Sequence, residues 1–264
     1  MLRIGTFIVV GAALLALLGP SMTPFDPAAQ TLPLRLARPS AAHPFGLDEL
    51  GRDILARVLA GARISFLVGL TVVFVSASVG TLLGAAAGYF GGLLDDAISR
   101  VIDVLLAFPG LLLAIALVAV LGPSLANVLV ALTIIGWVGY ARLVRGQVLR
   151  ARELDYVQAA RAQGAGVARI LWRHVIPAAL PAVVVQATLG MAGAIVSEAA
   201  LSFLGLGVQP PRPSWGNIIA DGREYLSIAW WVSLFPGLCV FQAVIAFNLV
   251  GDGLRDAFDP RLQF

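Results

Sequence analysis

Two histidines, one cysteine and no lysine leave this sequence few ways to do covalent or metal chemistry. All 18 basic residues are arginines. A Walker A phosphate loop needs a lysine on the β- and γ-phosphates, so nucleotide energy has to come from another chain. Cys239 lies in an apolar run, and a lone thiol forms neither an internal disulfide nor a cysteine-based metal site. His43 and His174 belong to separate loops and cannot share a metal. There is no HExxH, neither histidine falls within an apolar run, and the carboxylates in or near such runs, Asp103 and Glu198, belong near opposite membrane faces. Those facts argue against an intramembrane protease of the serine, zinc or paired-aspartate kind, the distant alternative for such a chain. No catalytic, metal-ligating or cofactor-binding residue is expected.

The elements that carry these residues follow from composition. Of 264 residues, 59% are hydrophobic and 12% charged, and the mean hydropathy is +0.91. A soluble domain carries about 25% charge, so this chain belongs in a membrane. Uncharged runs cover 4–25, 64–94, 104–141, 175–197 and 225–251, against the roughly 20 residues a spanning helix needs. The run 104–141 is too long for one span, and Gly122-Pro123-Ser124 breaks it into a hairpin. Six helices are expected, over 4–19, 63–90, 97–121, 125–143, 178–204 and 229–251. The first could be a cleaved signal, but Gly19-Pro20-Ser21-Met22 offers no clean small-x-small site, so a retained helix is expected. The division is a first transmembrane helix (1–19), a Pro-rich extracytoplasmic segment (20–62) and a five-helix core (63–264).

Seven arginines fall in 142–173 with only Glu153 and Asp155 beside them. Short loops rich in arginine stay cytoplasmic, which places both termini in the cytoplasm and segments 20–62, 122–124 and 205–228 outside. Gly80, Gly84 and Gly88 share one face of the second helix and predict a close packing seam, more readily within the chain than with another chain. Glu198 either lines a solute path or is protonated or bonded between helices. Asp103 is expected to pair with Arg100 on the same helix face.

The stretch 153–177, ELDYVQAARAQGAGVARILWRHVIP, reads as helix, turn, helix. Asp155 is placed to cap the first arm, Gly164 and Gly166 to make the turn, and Pro177 to end the second arm. DNA binding is not expected, because both ends are bolted to membrane helices with too little slack to reach into a major groove. An ordered loop between two spans is better read as a docking surface. Ala159, Ala160 and Gly164 keep one side shallow enough for a partner's cleft, and arginines at its edges could pair with acidic rims.

Gln158-Ala159-Ala160, Gly164 and Ile176-Pro177 resemble the EAA loop of ABC importer permeases, with Gln158 where the family usually has Glu and His174 where it often has Ile. His43 to Asp48 with Gly51-Arg52-Asp53, Ser202 to Gly207 with Pro210, Pro211 and Ser214-Trp215-Gly216, and Phe247 to Asp256 extend the likeness over almost the whole chain. Together they resemble the second, C-type permease of the dipeptide, oligopeptide and nickel ABC importers. The resemblance implies an all-α polytopic membrane protein with six transmembrane helices, the type I ABC importer permease fold, and a cytoplasmic coupling loop (145–177) between helices 4 and 5. It implies half of a translocation pathway in a bacterial or archaeal inner membrane. The implied partners are a homologous second permease, two cytoplasmic ABC ATPases that hold ATP and Mg, and an extracytoplasmic solute-binding protein. ATPase docking falls to Gln158, Ala159, Ala160, Arg161, Gly164, Arg169 and Pro177. Glu198 is the candidate for the pathway; Asp48, Arg52, Asp53 and Trp215 are candidates for binding-protein contact, although ion pairing that orders the entry to the second helix explains the first three equally well. Peptides are the expected solute, with nickel the alternative, since only His43 lies on the outer side to hold a metal.

Overall fold

The computed structural model describes residues 2–258; Met1 and residues 259–264, at the ends of the first and last expected regions, lie outside the described residues. The described chain is helical, with one isolated antiparallel bridge between Leu47 and Asp53. The helices are α1 (Leu2–Met22), α2 (Ile54–Phe90), α3 (Gly92–Leu106), α4 (Gly110–Leu121), α5 (Leu125–Ala151), α6 (Asp155–Ala162), α7 (Val167–Ile170), α8 (Ile176–Phe203), α9 (Trp215–Gly222) and α10 (Trp231–Phe258).

Five helices are long and apolar enough to cross a bilayer, and α3 with α4 forms a sixth, bent candidate. The expected continuous span 97–121 is therefore corrected. Pro109, which disfavours a helical Phe108 before it, breaks the helix, and the two halves meet at 87°. At about 1.5 Å per residue, the 12 residues of α4 reach only about 18 Å, short of the roughly 30 Å hydrocarbon core. Ile98, Ile102 and Leu105 pack α3 on α5 beside Val138 and Ala141, while Leu93, Val101 and Val104 on its other side are exposed.

Other helices run past their expected ends because their charges find partners. α2 begins at Ile54, not 63, since Asp53 caps it through the Ala56 amide and Arg57 and Arg63 are both engaged. Arg63 donates to the Ala16 and Leu17 carbonyls of α1. α5 extends to Ala151, with Ser124 as its N-cap. Pro177 does not end the second arm of the loop. It has no N–H to give, so the ladder slips to a π turn over Leu171–Val175, Ile176 N donates to Leu171 O, and the helix continues as α8.

The glycine seam closes within the chain. Side chains added at Gly80, Gly84 and Gly88 would meet α5 at Tyr140, Ala141 and Val148. Contact positions rise together on the two helices, so α2 and α5 run parallel. Without a hydrophobic drive between helices in lipid, such backbone approach supplies the dispersion contact. α8 runs antiparallel to both: Met191 and Ile195 stand against Gly69, and Gly190 against Tyr140. α10 lies beside α8 through Gly251, and α1 beside α10, where Gly5 meets Leu249 and Val250. The chain's described ends and the α6–α7 loop thus share one end of the bundle; residues 23–53 and 204–230 share the other.

Candidate functional site

At the loop end, Val157 is the buried residue of α6, packed with Val148, Ile170 and Val175. Asp155 does not cap; Leu154 occupies the cap position with no side-chain bond, and Asp155 stands in the first turn, where a carboxylate favours the helix dipole. α6 ends in a Schellman motif: Ala165 N donates to Ala160 O (3.1 Å) and Gly164 N to Arg161 O (3.0 Å), with Gly164 at φ +79°. Gln158, Ala159, Arg161, Gly164, Arg169 and Pro177 are exposed and Ala160 is half-buried. A cleft of about 450 Å³ opens between Ala159, Gly164, Arg169, Arg173 and His174. Arg161 stacks over the Tyr89 ring, 5.8 Å from its centroid. The loop's base is fixed by Arg152 Nη1 to Gly88 O (3.0 Å) and by Arg145, which binds both Asp95 oxygens (2.5 and 2.6 Å). Asp103 does not pair with Arg100; it approaches Arg142 at 3.9 Å, where both are exposed.

At the opposite end, Asp48, Arg52, Asp53 and Trp215 are all buried. Asp48 accepts from the Arg52 amide (2.8 Å), Arg52 Nε (2.6 Å) and Arg57 Nη1. Arg52 also donates to Glu49 (2.6 Å) and Asp221 (3.2 Å), and Arg57 Nη2 to Asp221 (2.9 Å). Asp53 takes His43 Nδ1 at 2.8 Å while capping α2. Trp215 Nε1 donates to Val58 O (3.0 Å), and Trp231 Nε1 donates to Leu47 O (3.3 Å). These side chains face one another, so any partner meets the surface they shape, not the side chains themselves. Arg57 and Asp221 were missed as members of this cluster. An arginine one turn inside an apolar helix was the available signal; nothing local marked Asp221. Glu49 Oε2 is buried without a partner, and burial, reinforced by Asp48 and Asp221, holds its carboxyl above the usual range.

Glu198, the pathway candidate, is buried between α2 and α8, accepting from Ser202 Oγ (2.7 Å) and Ser65 Oγ (3.2 Å). Its neighbour Ser197 instead lines a cavity of about 260 Å³ bounded by α2, α4, α5 and α8. A second opening of about 800 Å³ lies between α5, α8 and α10 towards the loop end. Among the described residues, no three His, Cys, Asp or Glu side chains are placed to hold a metal.

The chain is 46% identical to the dipeptide transport system permease protein DppC of Alkalihalophilus pseudofirmus, over 98% of this chain and 86% of that one. It is 49% identical to the glutathione transport system permease protein GsiD of Pectobacterium atrosepticum, over 85% and 75%. Inward-facing structures of the MetNI methionine ABC transporter match the fold with a TM-score of 0.58 and 21% identity, over 78% of this chain and 96% of that one. The fold is that of a type I ABC importer permease, a non-catalytic membrane subunit whose system includes ATPase and solute-binding partners. With residues 80–264 matching the family described as binding-protein-dependent transport system inner membrane component, the chain belongs to that family.

Proposed function

We propose that this chain is the C-type permease of an ATP-driven peptide importer and forms half of the path for di- or oligopeptides delivered by an extracytoplasmic binding protein. The observation that carries the reading is the likeness to a dipeptide permease along nearly the whole chain. The names of the similar proteins, which concern dipeptides, di- and tripeptides and glutathione, favour peptides over nickel.

The arginine-rich loop end faces the cytoplasm with both termini, and the Asp48–Asp221 end faces outwards. α6 and α7 dock on an ATPase through Gln158, Ala159, Ala160, Arg161, Gly164, Arg169 and Pro177; ATP and Mg sit on those partners. Because α7 passes into α8 without a break, movement of the ATPase cleft is delivered directly to α8, and with a homologous second permease the bundle alternates its access.

ATP-dependent peptide uptake by vesicles holding the assembled complex tests the reading. Uptake should stop when the ATPases are omitted; uptake that persists without them makes the chain a passive channel and sinks the proposal.

A further inference from the structure

We infer that the cavity between α2, α4, α5 and α8 is a subsite on the solute route that takes an uncharged amide, the main-chain peptide group of the passing solute, with Ser76 and Gln186 as its polar contacts. The inference rests on the peptide reading above and names where in this chain the peptide is met.

Ser76 carries the argument. It is 1% exposed and lines the cavity, and its hydroxyl has no hydrogen-bond partner. A helical serine in an apolar setting ordinarily spends its hydroxyl on the carbonyl four residues back, as Ser78 does on Phe74 O at 2.7 Å. Ser76 does not, and a buried hydroxyl left unpaired is costly unless something arrives to bond it. Across from it stands Gly136, where any Cβ would collide with the Ser76 hydroxyl. The hydroxyl is thus packed beside the Gly136 backbone at the edge of the cavity, with no protein group to bond it.

Gln186 marks the route. It lines this cavity and also the larger opening towards the loop end, and so stands between the two. A side-chain amide offers both a donor and an acceptor, which matches a peptide group. The cavity's lining includes no charged side chain. An ion entering it would lose water with no counter-charge, whereas a neutral amide finds hydroxyl and amide partners. Charge appears only in the larger opening, at Arg150, Asp252 and Arg255, where the ionised ends of a short peptide can be balanced.

Gly193 supplies the test. It lines the cavity, and a Cβ there meets nothing within 4 Å, so a larger side chain starts into open space. Gly237 on α10 is equally unobstructed and lies outside the cavity's lining, which makes it the control. The assembled importer in proteoliposomes is supplied with its binding protein and a defined mixture of di- and tripeptides, and uptake is quantified by mass spectrometry. Absence of ATP-dependent uptake by the unsubstituted complex overturns the peptide reading itself. Given that uptake, Gly193→Leu should reduce it at least about ten-fold while Gly237→Leu leaves it unchanged, and Ser76→Ala and Gln186→Leu should each lower it about five-fold, as expected for one lost hydrogen bond. Normal uptake by Gly193→Leu takes the cavity off the route; a block there with normal uptake by both Ser76→Ala and Gln186→Leu overturns amide recognition. If Gly193→Leu does not assemble, Gly193→Cys in a Cys239→Ala background decides. A hydrophilic methanethiosulfonate should label it, more slowly during peptide transport, and labelling that transport leaves unchanged overturns the proposal.

Discussion

Arg57 on α2 and Asp221 on α9 meet at 2.9 Å across 164 positions of sequence. With Arg52 and the fully buried Asp48, they tie the entry of the longest helix to the segment between α8 and α10. Two arginines are shared among three carboxylates here, with Glu49 Oε2 left unpartnered.

Arg57→Ala should therefore cost about 3–5 kcal/mol, because Asp48 would keep its charge in a buried site with half its guanidinium contacts gone. Thermal unfolding of the purified chain in detergent measures it. Arg57→Lys should recover only part of the loss, since one ammonium cannot span Asp48 and Asp221 as the guanidinium fork does.

Glu49 makes the same cluster pH-dependent. Its carboxyl is held above the usual value of 4.5 by burial and then by Asp48. The folded state therefore binds the proton more tightly than the unfolded chain. The stability this contributes is full below the ordinary glutamate value and is lost as pH rises through the elevated folded one. Glu49→Gln should accordingly raise the unfolding temperature at pH 8 more than at pH 4, and a larger gain at pH 4 would contradict the assignment.

Much of this architecture was legible in the uncharged runs and the four-residue glycine spacing, because lipid imposes length on helices and small residues permit their approach. What escaped was whatever depended on distant partners. Charges at Arg57 and Arg63 pushed the expected start of α2 to residue 63, although Asp48, Asp221 and the α1 carbonyls engage both. The bend at Pro109 was written locally, in a proline and in the amphipathic pattern of 92–106, but was overridden by the uniform apolarity of 104–121. At the end of the bundle that holds residues 23–53, the sequence suggested local pairing of Asp48 with Arg52, but it gave no means of bringing in Asp221. For Glu198 the sequence left a place on the path and bonding between helices both open; Ser65 and Ser202 take its oxygens.

The glycine seam predicts an asymmetry between equivalent substitutions. Gly84→Ala puts a Cβ into the Ala141 backbone and should destabilise the bundle by about 1–3 kcal/mol through forced separation of α2 and α5. Gly237→Ala meets open space inside α10 and should leave stability unchanged or raise it by up to about 1 kcal/mol. Unfolding midpoints in one detergent compare them; equal gains would mean that intrinsic helix propensity, which favours Ala, and not packing, controls both sites.

Gly164 lets the proposed docking be tested apart from folding. Its φ of +79° closes the Schellman turn, yet a Cβ added there meets nothing within 4 Å. Substitution therefore costs left-handed backbone strain of about 1–2 kcal/mol, but no clash within the chain. Asn tolerates that conformation better than most residues, so Gly164→Asn should insert and unfold much like the unsubstituted chain. Gly164→Asp carries a similar backbone cost and adds a carboxylate to a surface whose exposed charges include Arg169. If α6 and α7 enter an ATPase cleft with acidic rims, Gly164→Asp should lose ATPase co-purification at least about ten-fold, more than Gly164→Asn does, while membrane insertion and unfolding temperature stay close to those of Gly164→Asn. Retention of the ATPases by Gly164→Asp would show that this turn is not where they dock. Equal loss by both variants would make bulk at the turn, and not charge, the feature the cleft excludes.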